Sequence, residues 1–258
     1  MKKSEIDLKK LLNTNGLNRV SSPYGTDKDW PHTYIQNFYQ GFFTLIKPPK
    51  MLVEIGIWRG ASCALWKKTF PDCAVFGIDI EIQELHPIAE NLHAEKEIQL
   101  LEMDAYSEGL ARFSAGGIDL IIDDGPHTLE SQILALNWIP LLAKAGTLVI
   151  EDIQKGILDM KRLKNSLPQE LRKNCAYVSF AGKSRRDDDA IFVYSLSPKV
   201  LDYLRNLNDE YIFWGFRSIW LHYPYRAWMK LYRAWMKLYR AWMKLLYKVL
   251  RMEKFRPR

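Results

Sequence analysis

MLVEIGIWRG, residues 51–60, sets a five-residue β-rich run against a turn marked by two glycines, and helical spacing follows from Ala61 to Phe70. Strand, glycine turn and helix in that order begin a βαβ unit. The pattern continues outward in AVFGIDI (74–80), IQLLEMD (98–104), IDLIID (118–123) and GTLVIED (146–152), then AYVSF (176–180) and AIFVYSL (190–196). Helical spacing returns notably from Leu129 to Lys144. Runs that are apolar on both faces and separated by helices predict an α/β fold, a doubly wound, mostly parallel seven-stranded sheet. Only a polar stretch around GKSRRDDD (182–189) links the last two runs. It is too short for a crossover helix, so one strand runs antiparallel.

Two segments flank the sheet. Residues 31–46, PHTYIQNFYQGFFTLI, read as an aromatic-rich helix able to cap a site, and SPKVLDYLRNL (197–207) reads as helical. The expected organisation is an N-terminal segment (1–48), the sheet domain (49–197) and a helical C-terminal extension (198–258).

The net charge of +7 hides an asymmetry. From Arg226 onward there are 11 Lys/Arg and one acid, Glu253, against 26 basic and 29 acidic residues before it. A slightly acidic body with a basic tail points to an anionic partner for the tail. Cys63, Cys73 and Cys175 are odd in number and form no CxxC pair, which predicts buried or incidental thiols of a reducing compartment. The N-terminus has no apolar core of signal-peptide length, and no run reaches the length of a membrane span. The expected location is cytoplasmic.

Within the tail, residues 225–245 are YRAWMKL three times over. On a helix each unit places its Arg and Lys about 40° apart, giving a basic stripe opposite Tyr, Trp, Met and Leu. A heptad coiled coil is the plain alternative, and would make a homo-oligomer. The apolar face is wider than an a/d seam and the repeat holds no acid, which favours an amphipathic helix on an anionic membrane surface over residues 225–252. The body would then be peripherally associated with the membrane. Nucleic acid is disfavoured, because no base-reading motif accompanies the charge.

Ligands of open α/β sheets sit at the carboxyl ends of strands. Gly56 and Gly60 let backbone approach a ligand there, and Asp79, closing the second run, can accept ribose hydroxyls. The spacing is ExGxxxG, opened by Glu54, and suits a cofactor with a positive centre better than a pyrophosphate. Taken singly, each feature is ordinary turn chemistry. With the run order, residues 50–197 resemble the class I S-adenosylmethionine-dependent methyltransferases. The resemblance implies cofactor contacts at Glu54, Gly56, Gly60 and Asp79, with Asp104 near the adenine and Asp123 near the methionine amino group. Met103-Asp104 departs from the Gly-Asp usual in relatives.

The fourth run ends IIDDGPH and the fifth VIED, on strands expected to be neighbours. Carboxylates crowded at adjacent strand ends need a shared positive charge, and an all-oxygen set suits Mg2+ or Mn2+. His127, beside them, is matched to take a proton near neutrality. Helix capping by Asp124 and by Glu151-Asp152 is the competing reading. IIDDGPH, Gln132, Gly146 and VIEDI, with Tyr24-Gly25-Thr26-Asp27-Lys28, His32 and Tyr34 upstream, resemble the metal-dependent sugar O-methyltransferases of the macrocin and mycinamicin type and their cephalosporin-cluster relatives. That resemblance implies Asp124, Glu151 and Asp152 as metal ligands, His127 as general base, and Thr26 and Asp27 at the cofactor. Pro126, Ala105 and the QKGILDM stretch depart from it, so the acceptor pocket does not carry over.

The expected function is methylation of a sugar hydroxyl from S-adenosylmethionine, on a membrane-associated glycan such as an O-antigen or capsule precursor. A catechol-like or other vicinal diol is the alternative acceptor. A non-catalytic membrane-surface adaptor on the same fold is the alternative of another class.

Overall fold

The computed structural model describes residues 6–107, 109–180 and 189–207. Helix α1 (Leu8–Thr14) is followed by a wide helical turn (Ile35–Tyr39) that runs into α2 (Gln40–Leu45). The alternating part reads β1 (Met51–Ile55), α3 (Ala61–Thr69), β2 (Ala74–Asp79), α4 (Pro87–Ala94) and β3 (Ile98–Glu102). It continues with β4 (Ile118–Asp123), α5 (Leu129–Ala135), β5 (Leu142–Ile150), α6 (Ile157–Ser166), β6 (Cys175–Ser179) and β7 (Ala190–Ser195). Helix α7 covers 198–207.

Strand order is β3-β2-β1-β4-β5-β7-β6, and β7 runs antiparallel to both its neighbours. This is the expected seven-stranded α/β sheet with one antiparallel strand. From β1 the chain winds outward through β2 to β3, then returns to lay β4 against the other side of β1. That reversal opens a crevice at the carboxyl ends of β1 and β4, where ligands of such sheets bind.

Strand alternation sorts β1 between two apolar layers. Leu52 faces a layer built from the segment before the sheet and α3, and Val53 and Ile55 face the layer of Trp138, Ile139, Met160 and Leu163. The first layer is aromatic: Phe38, Phe42, Phe43, Trp66 and Phe70 interlock with ring centroids 4.9–5.5 Å apart in the successive pairs Phe38–Phe42, Phe42–Phe43, Phe43–Trp66 and Phe43–Phe70.

Two expectations change. The aromatic segment is helical from Ile35 to Leu45, but its rings are core rather than a cap over the crevice. The helix expected from Leu129 to Lys144 ends at Ala135 and tightens into a turn over Leu136–Leu141. Pro140 in that turn has no N–H to continue an α-helical ladder, and Lys144 lies in β5. The YRAWMKL repeat and the amphipathic helix expected there lie outside the described residues. Among the described residues no helix is long and apolar enough to cross a membrane.

Candidate active site

A cavity of about 620 Å3 occupies the crevice. Its walls are the β1 loop (Gly56–Trp58), Asp79 and Ile80 after β2, Met103–Tyr106 after β3, and Asp124–His127 after β4, with Thr26, Asp27 and Asp152 beside them. The volume lies in the range of small-molecule sites. Gly56 is required by the way the walls meet. Its φ is +77°, and a Cβ there would stand 2.2 Å from the Asp124 carbonyl oxygen. The β1 loop is held by Asp79, whose Oδ2 accepts from the amides of Ile57 (3.0 Å) and Trp58 (2.9 Å). Three non-glycine residues with left-handed backbone, Trp58, His127 and Asp152, line this one cavity. Such conformations cost on the order of 1–3 kcal/mol each and cluster at functional sites.

Asp124, His127 and Asp152 converge on the cavity. His127 Nε2 lies 3.9 Å from Asp124 Oδ1 and 3.7 Å from Asp152 Oδ2, beyond hydrogen-bond reach of either. Asp152 is fixed from behind: its Oδ1 accepts the Tyr34 hydroxyl and lies 3.4 Å from His32 Nδ1. His32 is itself bonded to Asp189 Oδ1 at 2.7 Å. Burial disfavours the charged His32 ring, yet the Asp189 bond and the Asp152 and Asp27 charges raise its pKa above the usual histidine value. Gln132 of α5 donates to the carbonyls of Glu151 and Asp152, which holds the loop that carries Asp152.

Beneath these groups lies a second, dry set. Lys28 reaches down from the GTDK stretch and is 1% exposed. Its Nζ is 2.7 Å from Asp124 Oδ2, 2.7 Å from Glu151 Oε2 and 3.4 Å from Glu54 Oε1. Glu151 Oε1 accepts the Tyr39 hydroxyl, and Glu54 Oε2 accepts from Trp66 Nε1 (3.0 Å) and Cys63 Sγ (3.3 Å). Burial works against the Lys28 charge, but the facing carboxylates outweigh it and hold the ammonium protonated. Burial lifts the Glu54 and Glu151 carboxyls above their usual range, against the opposing pull of Lys28.

The residues singled out from the sequence therefore divide. Gly56, Asp79, Asp104, Thr26, Asp27, Asp124, His127 and Asp152 line the cavity; Glu54, Gly60, Asp123 and Glu151 are not among its lining. Glu54 shares the face of Leu52 and points into the aromatic layer. Gly60, at φ +75°, is the N-cap of α3. Asp123 is buried under the Tyr106 hydroxyl at 2.6 Å, and burial raises its pKa to about 7. Asp104 spends both oxygens nearby, on the Tyr106 amide and the Ser107 hydroxyl. The capping reading does not hold, since Thr128 caps α5 with its own hydroxyl and α6 starts at Gly156 without a side-chain cap. Sequence reasoning missed the roles of Lys28, His32, Tyr34 and Tyr39. Lys28, His32 and Tyr34 belong to the quoted motif, but no spacing rule says which strand ends such a loop will reach.

The donor set fits a divalent cation. One oxygen each of Asp124 and Asp152 lie, with a nitrogen of His127, within 4.8 Å of one another, so the two carboxylates could share an ion with His127 beside it. Groups about 2.1 Å from one ion stand at comparable separations. His32, Asp152 and Asp189 are equally close, but there the His32–Asp189 hydrogen bond already fills the space.

The model of a methyltransferase domain matches residues 53–153. The 8-demethyl-8-alpha-L-rhamnosyl tetracenomycin-C 2'-O-methyltransferase of Streptomyces olivaceus is 29% identical over 150 residues, 54% of this chain and 38% of that protein. Demethylmacrocin O-methyltransferase of Streptomyces fradiae is 30% identical over 53% of this chain and 36% of its own length. Mycinamicin VI 2''-O-methyltransferase of Micromonospora griseorubida is 30% identical over the same two shares, 53% and 36%. The chain thus spans well under half the length of each relative. Residues 53–153 thus match the model of a methyltransferase domain, and the chain is similar over about half its length to O-methyltransferases of the type its motifs resemble.

Proposed function

We propose that this chain transfers a methyl group from S-adenosylmethionine to a sugar hydroxyl with the help of a divalent cation. The observation that carries the reading is one cavity with Asp79 on one wall and Asp124, His127 and Asp152 on another. Asp79 Oδ2 anchors the β1 loop, Oδ1, which accepts only a long 3.5 Å bond from the Glu81 amide, is offered to the ribose, and Thr26 and Asp27 close the cofactor side. Asp124 and Asp152 would hold Mg2+ or Mn2+, whose positive charge eases loss of a proton from an adjacent hydroxyl. His127, unclaimed by either carboxylate, takes that proton. The acceptor oxygen then faces the sulfonium methyl, and much of the acceleration comes from holding the two in line. The basic-aromatic tail over 225–252 supports a membrane-associated glycan as acceptor.

Incubation with methyl-labelled S-adenosylmethionine and fractionated glycans tests the reaction. Label should enter a glycan fraction and disappear with chelator; label confined to diols without sugar would move the acceptor class. Flotation with anionic liposomes tests the tail. The full chain should float at low salt and a chain ending at Pro224 should not, whereas equal flotation of both would remove the membrane role.

A further inference from the structure

Glu151 and Asp152 are consecutive, yet their carboxylates face opposite ways. Asp152 Oδ2 points toward His127 in the cavity. Glu151 has one oxygen on Lys28 and the other on Tyr39, and is 1% exposed. Asp124 is split between the two environments, with Oδ2 on Lys28 and Oδ1 toward His127. A cation bridging Asp124 Oδ2 and Glu151 Oε2 would have to sit where the Lys28 ammonium already sits, 2.7 Å from each.

We infer that Lys28 is the resident cation of the inner acids, so that Glu151 is not a metal ligand and the divalent ion rests on Asp124 Oδ1 and Asp152 Oδ2 alone. The inference rests on the metal part of the proposed function and narrows it. It has three physical supports. First, an ammonium tethered to the protein chain arrives with the fold, whereas a divalent ion at the same point would have to displace it from two carboxylates at a site that is 1% exposed. Second, Glu54 Oε1 has no hydrogen-bond partner among the described residues and lies 3.4 Å from Lys28 Nζ, so displacing Lys28 would take the nearest cation from a second buried carboxylate. Third, two carboxylates are an ordinary protein contribution for Mg2+, which leaves the remaining positions to water and to oxygens of the acceptor. The ion then binds weakly to the free protein and more tightly once an acceptor with adjacent oxygens is present. Lys28 also pins the loop that carries Thr26 and Asp27 onto the strand ends, so assembly of the cofactor wall and of the metal site depends on one side chain.

The test uses the full-length wild-type protein with Mn2+ in place of Mg2+. Two preparations carry carbon-13 in the side-chain carboxylates, one of aspartate and the other of glutamate. Electron–nuclear double resonance of bound Mn2+ should show carbon coupling in the aspartate preparation and none in the glutamate preparation. A first-sphere coupling from labelled glutamate that vanishes in Glu151→Gln would overturn the inference while leaving the metal site standing. As the accompanying control, Asp152→Asn should lower Mn2+ affinity by about tenfold or more, at least the loss typical of an outer partner. Failure of the wild type to bind Mn2+ at all would sink the metal part of the proposed function and this inference with it.

Discussion

Asp124 and Asp152 turn an oxygen into a cavity that water and ligands can enter, while Glu54 and Glu151, from the same strand ends, are sealed around Lys28. The chemistry of the side chains is the same and their sequence separation is as little as one residue. What differs is which way the backbone turns and what meets the carboxylate. Glu54 follows the alternation of β1 into the aromatic layer. Asp152 sits one residue past Glu151 at φ +54°, which swings its carboxylate out of that layer. The inner set is buried around one shared ammonium, so it should govern stability. The outer set is held in strained backbone and meets the cavity, so it should govern turnover. Substitutions that cross this division are the way to break it.

The largest effect is expected from Lys28→Met. Without the ammonium, Glu54, Asp124 and Glu151 face one another in the interior, a loss of about 3–5 kcal/mol near neutral pH. Glu54 and Glu151, already raised by burial, would rise further without Lys28. A carboxyl raised in the fold costs stability as pH climbs from its ordinary value toward the raised one, so the penalty should shrink as pH falls toward the ordinary carboxylate range. Urea denaturation at two pH values measures both the loss and its direction; a variant as stable as wild type would dissolve the inner set as a unit.

His127→Ala should slow methyl transfer by about 100-fold or more, roughly 2.7 kcal/mol in the barrier, while stability changes little. Single-turnover rates and thermal melts separate the two. Unchanged turnover would leave His127 as a turn residue.

A paired comparison sharpens the division further. Tyr39→Phe removes a bond from buried Glu151 and should cost about 1–3 kcal/mol of stability. Tyr34→Phe loosens Asp152 and should show more in turnover than in melting. If the two variants behave alike, inner and outer acids are one network.

The smallest effect concerns the thiols. Burial pushes Cys73 up to about 12 and Cys175 up to about 11, and lifts Cys63 well above the usual thiol value. All three should alkylate slowly in the folded protein at about pH 8 and promptly in denaturant, because only the thiolate reacts. Mass spectrometry counts the adducts, and rapid labelling of the folded chain would contradict their burial.

The alternation of apolar runs and the nine-residue link before β7 were sufficient to read the sheet, its strand count and its antiparallel pair, because those features depend on local periodicity and connection length. The position of the crevice was readable for the same reason, and so were Gly56, Asp79 and His127 on its walls. The division among the acids was not. It depends on Lys28, separated from Asp124 by 96 residues and from Glu151 by 123, and on Tyr34 and Tyr39 arriving from a segment that reads as a cap. Crowded carboxylates imply a positive charge, but a sequence does not say whether an ion or a distant lysine supplies it. The early end of α5 is legible in Pro140, whose missing N–H interrupts the helical ladder.

The central claim is that the cavity at the β1–β4 crevice holds S-adenosylmethionine against Asp79. Isothermal calorimetry of the purified protein tests it most directly. The wild type should bind saturably, and Asp79→Ala should lose about 1.5–3 kcal/mol, the range for a bond to a charged acceptor. No heat of binding from the wild type at millimolar ligand, or equal affinity in Asp79→Ala, would contradict it.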